Sequence, residues 1–252
     1  MNTRALFLFM VSALLAVSLS AQESTEASRG PDGGTRFRVA GIEVLPVTGR
    51  PFSGTDTIEW THNLEDGSVV TTHLTAMVAR DSEGRIRRER VRFVPANSNE
   101  QSKPMEIIIS DPAEHTRTTC NIASRHCTVT DYQTPVKFSP VPAGPLDRGK
   151  RFLARESLGT NTVDDLNVVG TRETLTINAG VIGNSEPVVT TREFWYSSDL
   201  EINLSVTRKD PREGTQTIQL IDLSRDEPDP SLFRVPSDYV IEDQRTAAKT
   251  GN

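Results

Sequence analysis

Two cysteines are the residues whose spacing most directly suggests chemistry in this sequence. Cys120 and Cys127 flank six residues within a segment rich in threonine and valine. In an oxidising compartment such a pair closes a disulfide across a hairpin. The alternative is a metal site formed by the two thiolates with His115 or His126, but the spacing is longer than that usual for zinc ligands. The sequence therefore favours a disulfide and assigns no metal.

A run of arginines is the second feature with chemical potential. Its members are Arg85, Arg87, Arg88, Arg90 and Arg92. Guanidinium groups bind phosphates and carboxylates through paired hydrogen bonds, so the run is a candidate anion-binding stripe. A solvated strand face, protected by its charges against pairing with another edge, explains the same residues.

Four aromatic residues stand out in segments that alternate like strands, namely Trp60, Phe194, Trp195 and Tyr196. Alternation along a strand sends Phe194 and Tyr196 to one face and Trp195 to the other. A sheet that is apolar on both faces could carry a core on one side and an apolar groove on the other. Ordinary core packing is the competing interpretation.

No local catalytic motif is present in the sequence. Gly-x-Ser-x-Gly, Ser-x-x-Lys and His-Glu-x-x-His patterns, which place a reactive group beside its base or metal, are all absent. His62 and His73 are predicted to lie on opposite faces of a hairpin. The acidic pairs Asp164-Asp165 and Asp226-Glu227 lie in turn-like sequence and are interpreted as surface charge. We therefore predict neither an enzyme nor a cofactor.

The amino-terminal end has the three parts of a secretory signal peptide. Arg4 precedes an uncharged apolar run from Ala5 to Leu19, and small residues follow up to Ala21. Residues 1–21 are predicted to be cleaved on export to the periplasm or the outside. Because no cysteine lies near the cleavage point, no lipid anchor is expected.

The composition narrows the classes of partner. A formal net charge of −6 and a pI near 5.4 argue against nucleic-acid binding, which needs a basic surface. No later apolar stretch approaches membrane length, so no integral membrane segment is expected after cleavage. Aromatic residues make up only 6% of the chain, which disfavours an outer-membrane barrel with aromatic girdles.

The rest of the chain alternates strands with turns. Residues 22–36 are predicted to be a flexible leader and 244–252 a flexible tail around a β domain at 37–243. Asp66-Gly67 predicts a hairpin that pairs Ile58 with Leu74. A segment rich in proline and glycine, 135–148, separates candidate halves at 37–134 and 149–243. The predicted architecture is a mainly β, antiparallel meander with few helical turns, which could form a curved open half-barrel.

The carboxyl-terminal half contains the pieces Gly170-Thr171-Arg172, Phe194-Trp195-Tyr196-Ser197-Ser198-Asp199-Leu200 and Leu232-Phe233-Arg234-Val235-Pro236-Ser237-Asp238-Tyr239. These pieces resemble a group of uncharacterised exported bacterial proteins. The last two are more distantly similar to outer-membrane lipoprotein carrier and sorting (LolA-like) proteins. The resemblance implies an open antiparallel half-barrel that shelters acyl chains on a concave apolar face. The sequence departs from the carriers in lacking a helix of lid length and in carrying the cysteine hairpin.

Two hypotheses of function follow from the sequence. The first is an exported β-rich binding module for a lipidic or other apolar ligand. The second is a structural or interaction protein of the cell envelope, with an envelope protein as partner and no small ligand. An enzyme of unrecognised type is a third and weaker hypothesis, because catalytic groups can assemble from distant strands.

Overall fold

The structure is a computed structural model that describes residues 41–135 and 140–245. The predicted signal peptide (1–21) and leader (22–36) lie outside the described residues, as do residues 246–252. Within the described ranges, no helix is both long and apolar enough to cross a membrane.

The described chain folds into one sheet of fourteen strands, which confirms the prediction of a mainly β fold. In chain order the strands are β1 (Phe52–Asn63), β2 (Val69–Arg80), β3 (Ile86–Val91), β4 (Val94–Pro95), β5 (Pro104–Asp111), β6 (Thr116–Asn121), β7 (His126–Asp131), β8 (Gly144–Leu146), β9 (Arg151–Val163), β10 (Leu166–Ile177), β11 (Val188–Ser197), β12 (Ile202–Asp210), β13 (Gly214–Ser224) and β14 (Val240–Asp243). Two short 3-10 helices, Asp147–Gly149 and Pro230–Phe233, are the helical turns in the described part of the chain.

Two meanders meet along one ladder at the centre of the sheet. The spatial order is β14-β7-β6-β5-β3-β2-β1-β13-β12-β11-β10-β9-β8, with β4 paired to β2. All neighbours are antiparallel except β14, which runs parallel to β7. The outermost strands β14 and β8 do not pair, so the sheet is not closed into a barrel. We call β1–β7 with β14 the N-sheet and β8–β13 the C-sheet.

The β1–β2 hairpin has the predicted register. Ile58 lies opposite Leu74, and the Leu64 amide donates to the Ser68 carbonyl at 2.8 Å across the turn. Gly67 adopts a φ of 80°, the left-handed conformation that a glycine bulge requires. The register also confirms that His62 and His73 lie on opposite faces, because they pair with Val70 and Glu59.

An apolar row crosses the centre of the sheet on one side, which we call the core face. Its residues lie directly opposite one another on five neighbouring strands and each is at most 6% exposed: Phe194, Val206, Ile218, Ile58 and Leu74. Full burial of side chains of this size contributes about 1.5–3 kcal/mol each. Ile42 and Val44, which precede β1, pack into the same cluster.

The opposite side of the same strands, the outer face, is polar. One row across it consists of Glu59, Thr217, Thr207, Glu193, Arg172 and Glu156. None of these six is buried, and Arg172 pairs with Glu193 at 2.7 Å and with Glu156 at 3.1 Å. This row of the outer face is therefore solvated.

A smaller cluster lies on the outer face of the N-sheet. Ala79 and Ile109 are covered there by Phe233, with Leu232 packed beside it. The turn that carries Phe233 is capped by Asp229, which accepts a hydrogen bond from the Ser231 amide at 2.8 Å. This contact attaches the segment after β13 to the sheet.

One predicted loop is partly a strand. The sequence predicts a loop at residues 94–104, but Val94 and Pro95 form a two-residue strand opposite His73 and Thr72 of β2. The sequence predicts the next strand at Glu106 to Ser110, whereas β5 starts at Pro104. Proline is tolerated at both positions because each lies at a strand end, where its missing donor breaks no ladder.

Candidate functional site

The arginine run does not form one stripe. Alternation in β3 places Arg87 on the outer face, beside Met77 and Glu89, while Arg88 and Arg90 point to the core face. Arg88 donates to the carbonyl of Ile42. The strand thus divides the arginines between two environments.

The remaining contacts of the run are equally local. Arg90 pairs with Glu106 at 2.8 Å, and Arg85 binds Asp81 at 2.6 Å across the turn before β3. Arg92 is exposed. An anion-binding role for the five arginines stays a prediction. Because the arginines lie on both faces of the sheet, one anion on one face would not contact all of them.

The four aromatic residues occupy three different settings. Phe194 belongs to the apolar row, and Trp195, its neighbour in sequence, is partly buried and packs against the same core cluster. A Cβ added at Gly170 would stand 2.7 Å from the Trp195 ring. Trp60 shares the core face with Phe194 and donates its indole N–H to the Glu213 carbonyl at 2.7 Å. Tyr196 follows an irregularity in the β11–β12 register. An apolar face shared by these four side chains stays a prediction.

The cysteines form the predicted disulfide. Cys120 and Cys127 lie directly opposite each other on β6 and β7, with an S–S distance of 2.01 Å, and both are fully buried. In residues 41–135 and 140–245, no three His, Cys, Asp or Glu side chains are grouped so that they could hold a metal ion.

A charged row crosses the core face two residues along from the apolar row. It contains one residue from each of six neighbouring strands, each opposite the next: Arg155, Glu173, Arg192, Arg208, Gln216 and Trp60. Two residues along a strand correspond to about 7 Å, so the apolar and charged rows are adjacent layers of one surface. No local pattern in the sequence identifies this row.

Glu173 joins two arginines within the charged row. Its carboxylate lies 2.5 Å from the Arg155 guanidinium and 2.6 Å from that of Arg192, and its side chain is 4% exposed. A carboxylate this buried is stable only when it is paired, and the two arginines provide that pairing.

Asp210 is the second carboxylate at the charged row, where it binds Arg208. It accepts hydrogen bonds from Thr190 at 3.1 Å, Arg208 at 2.7 Å and Arg212 at 2.8 Å. Burial alone would raise the pKa of Asp210, but hydrogen bonds from Arg212 and Thr190 and the charge of Arg208 lower it to about 2. Asp210 is therefore ionised at neutral pH.

A buried carboxylate of β1, that of Asp56, contacts the first residues that the structure describes. Asp56 is 4% exposed and accepts a hydrogen bond from the Ile42 amide at 3.1 Å. Burial raises the pKa of Asp56 to about 6, against the opposing effects of Arg88 and of that hydrogen bond. The carboxylate and Arg88 together hold the backbone of Ile42 against the core face.

A groove of about 530 Å³ opens at one end of the sheet. It is lined by Gly49, Arg50, Pro51, Asp199, Leu200, Arg225 and Asp226. Arg50 donates to the Asp199 carbonyl at 2.6 Å and lies 3.6 Å from Glu201. The lining is mainly polar backbone and charged side chains, and it does not reach the charged row.

The acidic pairs considered for acid–base chemistry lie in turns. Asp164 and Asp165 are both exposed, with left-handed φ values of 46° and 59°. Asp226 lies 3.2 Å from the Ser224 hydroxyl, and Glu227 accepts from the Ser82 amide at 3.1 Å. These contacts fit the predicted role as surface charge.

No protein-family model matches the sequence, and no curated protein matches it. Among solved structures, this chain is similar to an uncharacterised conserved protein from Thermus thermophilus. The two sequences are 13% identical, and the TM-score is 0.40 over 77% of this chain and 91% of the other.

Two further likenesses concern proteins of named classes. The MucA/MucB complex of Pseudomonas aeruginosa is matched at 12% identity and a TM-score of 0.38, over 77% of this chain and 58% of the other. A putative outer-membrane lipoprotein-sorting protein domain from Vibrio parahaemolyticus, the class that the sequence resembles, is matched at 8% identity and a TM-score of 0.25, over 75% and 92%. Identities and TM-scores this low carry no function from these proteins to this chain.

Proposed function

We propose that this protein is an exported β-rich binding module whose core face accepts a lipidic or other apolar ligand. The observation that carries the proposal is the apolar row on five neighbouring strands of an open sheet. The outer face of the same strands is polar, so the core face is the apolar surface that these strands offer a ligand.

The segment at Ile42 and Val44 is the part of the chain that the ligand displaces. Both side chains pack into the apolar cluster, and the Ile42 backbone is held by Asp56 and Arg88. A ligand chain that takes their place regains the same kind of apolar contact. Removing apolar surface from Ile42 therefore favours the ligand over the segment.

Binding of N-phenyl-1-naphthylamine, a fluorescent neutral apolar probe, tests this proposal. We expect the protein to bind the probe, and Ile42→Ser to bind it about three- to tenfold more tightly, because each 1.4 kcal/mol of lost segment burial is a factor of about ten. Val240→Ser, on the exposed edge strand β14, is the matched control and should leave the affinity unchanged.

Native mass spectrometry of gently extracted protein provides the second arm. Retained lipid in the wild type supports the proposal. A ligand-free spectrum, together with no probe binding by the wild type or by Ile42→Ser, would overturn it.

The edge strand β14 favours a second candidate, an interaction protein of the cell envelope. Val240 and Ile241 are more than half exposed, at 66% and 55%, on the last strand of the sheet. An exposed apolar edge can pair with a strand of a partner. Site-specific crosslinking from Ile241 in cells should then give one defined adduct that Val240→Asp abolishes; the absence of an adduct would exclude this surface.

A further inference from the structure

The segment that precedes β1 is attached to the sheet differently at its two ends. Near β1, the buried guanidinium of Arg80 donates to the carbonyls of Leu45 at 2.9 Å and of Arg50 at 2.8 and 3.0 Å. Residues 41–44, at the other end, belong to none of the strands of the described sheet. We call residues 41–44 the strap. The strap is thus anchored by Arg80 on one side only, and its own backbone is outside the ladder.

Two side chains hold the backbone of the strap at a single residue. The carboxylate of Asp56 accepts a hydrogen bond from the Ile42 amide at 3.1 Å, and the guanidinium of Arg88 donates to the Ile42 carbonyl. Gly41 allows the chain to pass this closely, because a Cβ at that position would stand 2.6 Å from Oδ2 of Asp56. Its φ of 149° also favours glycine. The attachment of the strap therefore depends on one carboxylate and one guanidinium.

The Asp56 carboxylate is poorly solvated while the strap covers it. Asp56 is 4% exposed, and its register partners Ala76 and Leu220 are apolar. Within the described part of the chain, its Oδ1 accepts no hydrogen bond. An ionised carboxylate with a buried, unsatisfied oxygen is costly, whereas the neutral acid is less so. Detaching the strap uncovers Oδ2 and admits water, so ionisation of Asp56 favours the detached strap.

The charges around Asp56 oppose this effect only in part. Arg88 of β3 favours the ionised carboxylate, and Glu43 of the strap, Tyr132 and Arg117 act in turn on Arg88. Burial outweighs the attraction of Arg88 and raises the pKa of Asp56 to about 6, against an ordinary value of 3.8 in water. The closed strap therefore favours the protonated acid. Its closure is strongest below pH 3.8 and weakens as the pH rises through about 6.

We propose that residues 41–44 are a proton-linked strap, which closes over Asp56 when this carboxyl is protonated and detaches more readily when it is ionised. Leu45 stays anchored to Arg80 in both states. Ile42 and Val44 leave with the strap, so detachment uncovers the part of the apolar cluster against which they pack. The strap includes the residues that the ligand displaces in the proposed function, but the inference requires no ligand and is tested without one.

Amide hydrogen exchange of the wild type, followed by NMR, measures detachment of the strap. Each rate is divided by the intrinsic rate at the same pH, so that the protection of the Ile42 amide reports local opening. From about pH 5 to about 7.5, Ile42 protection should fall about tenfold, the ratio expected for pKa values of about 6 when closed and 3.8 when open. The exposed Gly49, whose amide donates to the Ser82 carbonyl at 2.8 Å, is the matched control in the same segment. Its protection should change by less than about twofold.

Asp56→Asn identifies the titrating group. Asparagine keeps an oxygen that can accept the Ile42 amide but has no carboxyl to titrate. The protection of Ile42 in this variant should therefore change by less than about twofold over the same pH range. A tenfold fall in Asp56→Asn as well would overturn the assignment to Asp56.

A second outcome on the wild type would also overturn the strap. If Ile42 were as strongly protected as Ile58, in the centre of β1, at both pH values, the strap would open only when the whole sheet unfolds. Failure of the wild type to bind N-phenyl-1-naphthylamine, by contrast, would overturn the proposed function and not the strap.

Discussion

The arginines of the N-sheet and those of the C-sheet are organised in opposite ways. Arg85, Arg87, Arg88 and Arg90 are close in sequence, yet strand alternation and local partners separate them onto two faces. The arginines of the charged row are far apart in sequence, yet register brings them onto one face. In a β-sheet, alternation places neighbours in sequence on opposite faces, whereas strand pairing brings residues that are distant in sequence together on one face.

The expected energetic effects of substituting an arginine also differ between the N-sheet and the C-sheet. Arg85, Arg87, Arg88 and Arg90 each bind a backbone or carboxylate partner of their own, so substitution of one of them should change only the stability of the protein. The C-sheet arginines share Glu173 and Asp210, so a change in one is transmitted to the others. Three substitutions on the N-sheet side test this contrast, and their expected effects on stability decrease from Arg80 through Asp56 to Arg90.

Arg80→Met should have the largest effect. The Arg80 guanidinium is fully buried and donates to three carbonyls, those of Leu45 (2.9 Å), Arg50 (2.8 and 3.0 Å) and Leu200 (2.6 Å). Leaving three buried carbonyls without a donor should lower the free energy of unfolding by at least about 3 kcal/mol. Urea denaturation measures the loss, with Arg92→Met on the surface as control.

A loss below about 1 kcal/mol for Arg80→Met would contradict the proposed role of Arg80. It would mean that water or rearranged backbone replaces the guanidinium. The joint between the segment before β1 and the β11–β12 hairpin would then depend on apolar packing alone.

Asp56→Asn should have an intermediate effect that depends on pH. The folded pKa of Asp56, about 6, lies above its ordinary value of 3.8, so folding favours the protonated form. This contribution to stability is fully present below pH 3.8 and is lost as the pH rises through about 6. Acidification from about pH 7 to about 4.5 should therefore stabilise the wild type by about 2 kcal/mol relative to Asp56→Asn.

Urea denaturation of both proteins at the two pH values measures that difference. Comparing the pair cancels the titration of the other carboxylates. Parallel pH profiles for the wild type and Asp56→Asn would show that the Asp56 carboxyl is not desolvated, and that Ile42 is held by packing rather than by this buried acid.

Arg90→Ala should have the smallest effect. The Arg90 side chain is 61% exposed, and Glu106, its ion-pair partner at 2.8 Å, is 22% exposed, so the arginine keeps most of its contact with water. Exposed ion pairs contribute about 0–1 kcal/mol, so the midpoint of urea unfolding should hardly move. A loss above about 2 kcal/mol would show that the pair belongs to a larger network, as the C-sheet arginines do.

Local patterns in the sequence are sufficient for most of the strands. Asp66-Gly67 and the alternation around it predict the β1–β2 register correctly, because a short turn and one apolar face leave a single pairing. Cys120 and Cys127 are similarly constrained by the hairpin between them. The cap at Asp229 needs only residues within the same turn.

The charged row cannot be predicted in the same way. It depends on the registers of five ladders at once, and the register irregularities at Gly170/Thr171 and Trp195/Tyr196 shift the pairing on either side. The sequence predicts strands at Leu166 to Ile177 and Pro187 to Tyr196, which contain Glu173 and Arg192, but only strand pairing shows that these two residues are neighbours. Arg80 is more difficult still, because its partner Leu200 lies 120 residues away and is a backbone carbonyl.

The β1–β13 ladder also influences how the molecule folds. Thr57 bonds Gln219 across 162 positions of the chain, whereas every other strand of the C-sheet pairs with a sequence neighbour. Closing so long a loop adds little to the equilibrium cost, which grows only with the logarithm of length, but it delays the pairing. Until β13 pairs with it, β1 presents an unpaired edge beside apolar side chains, the kind of surface that is prone to aggregate during folding. Pairing of β1 with β13 is thus the step of folding that we expect to be slowest.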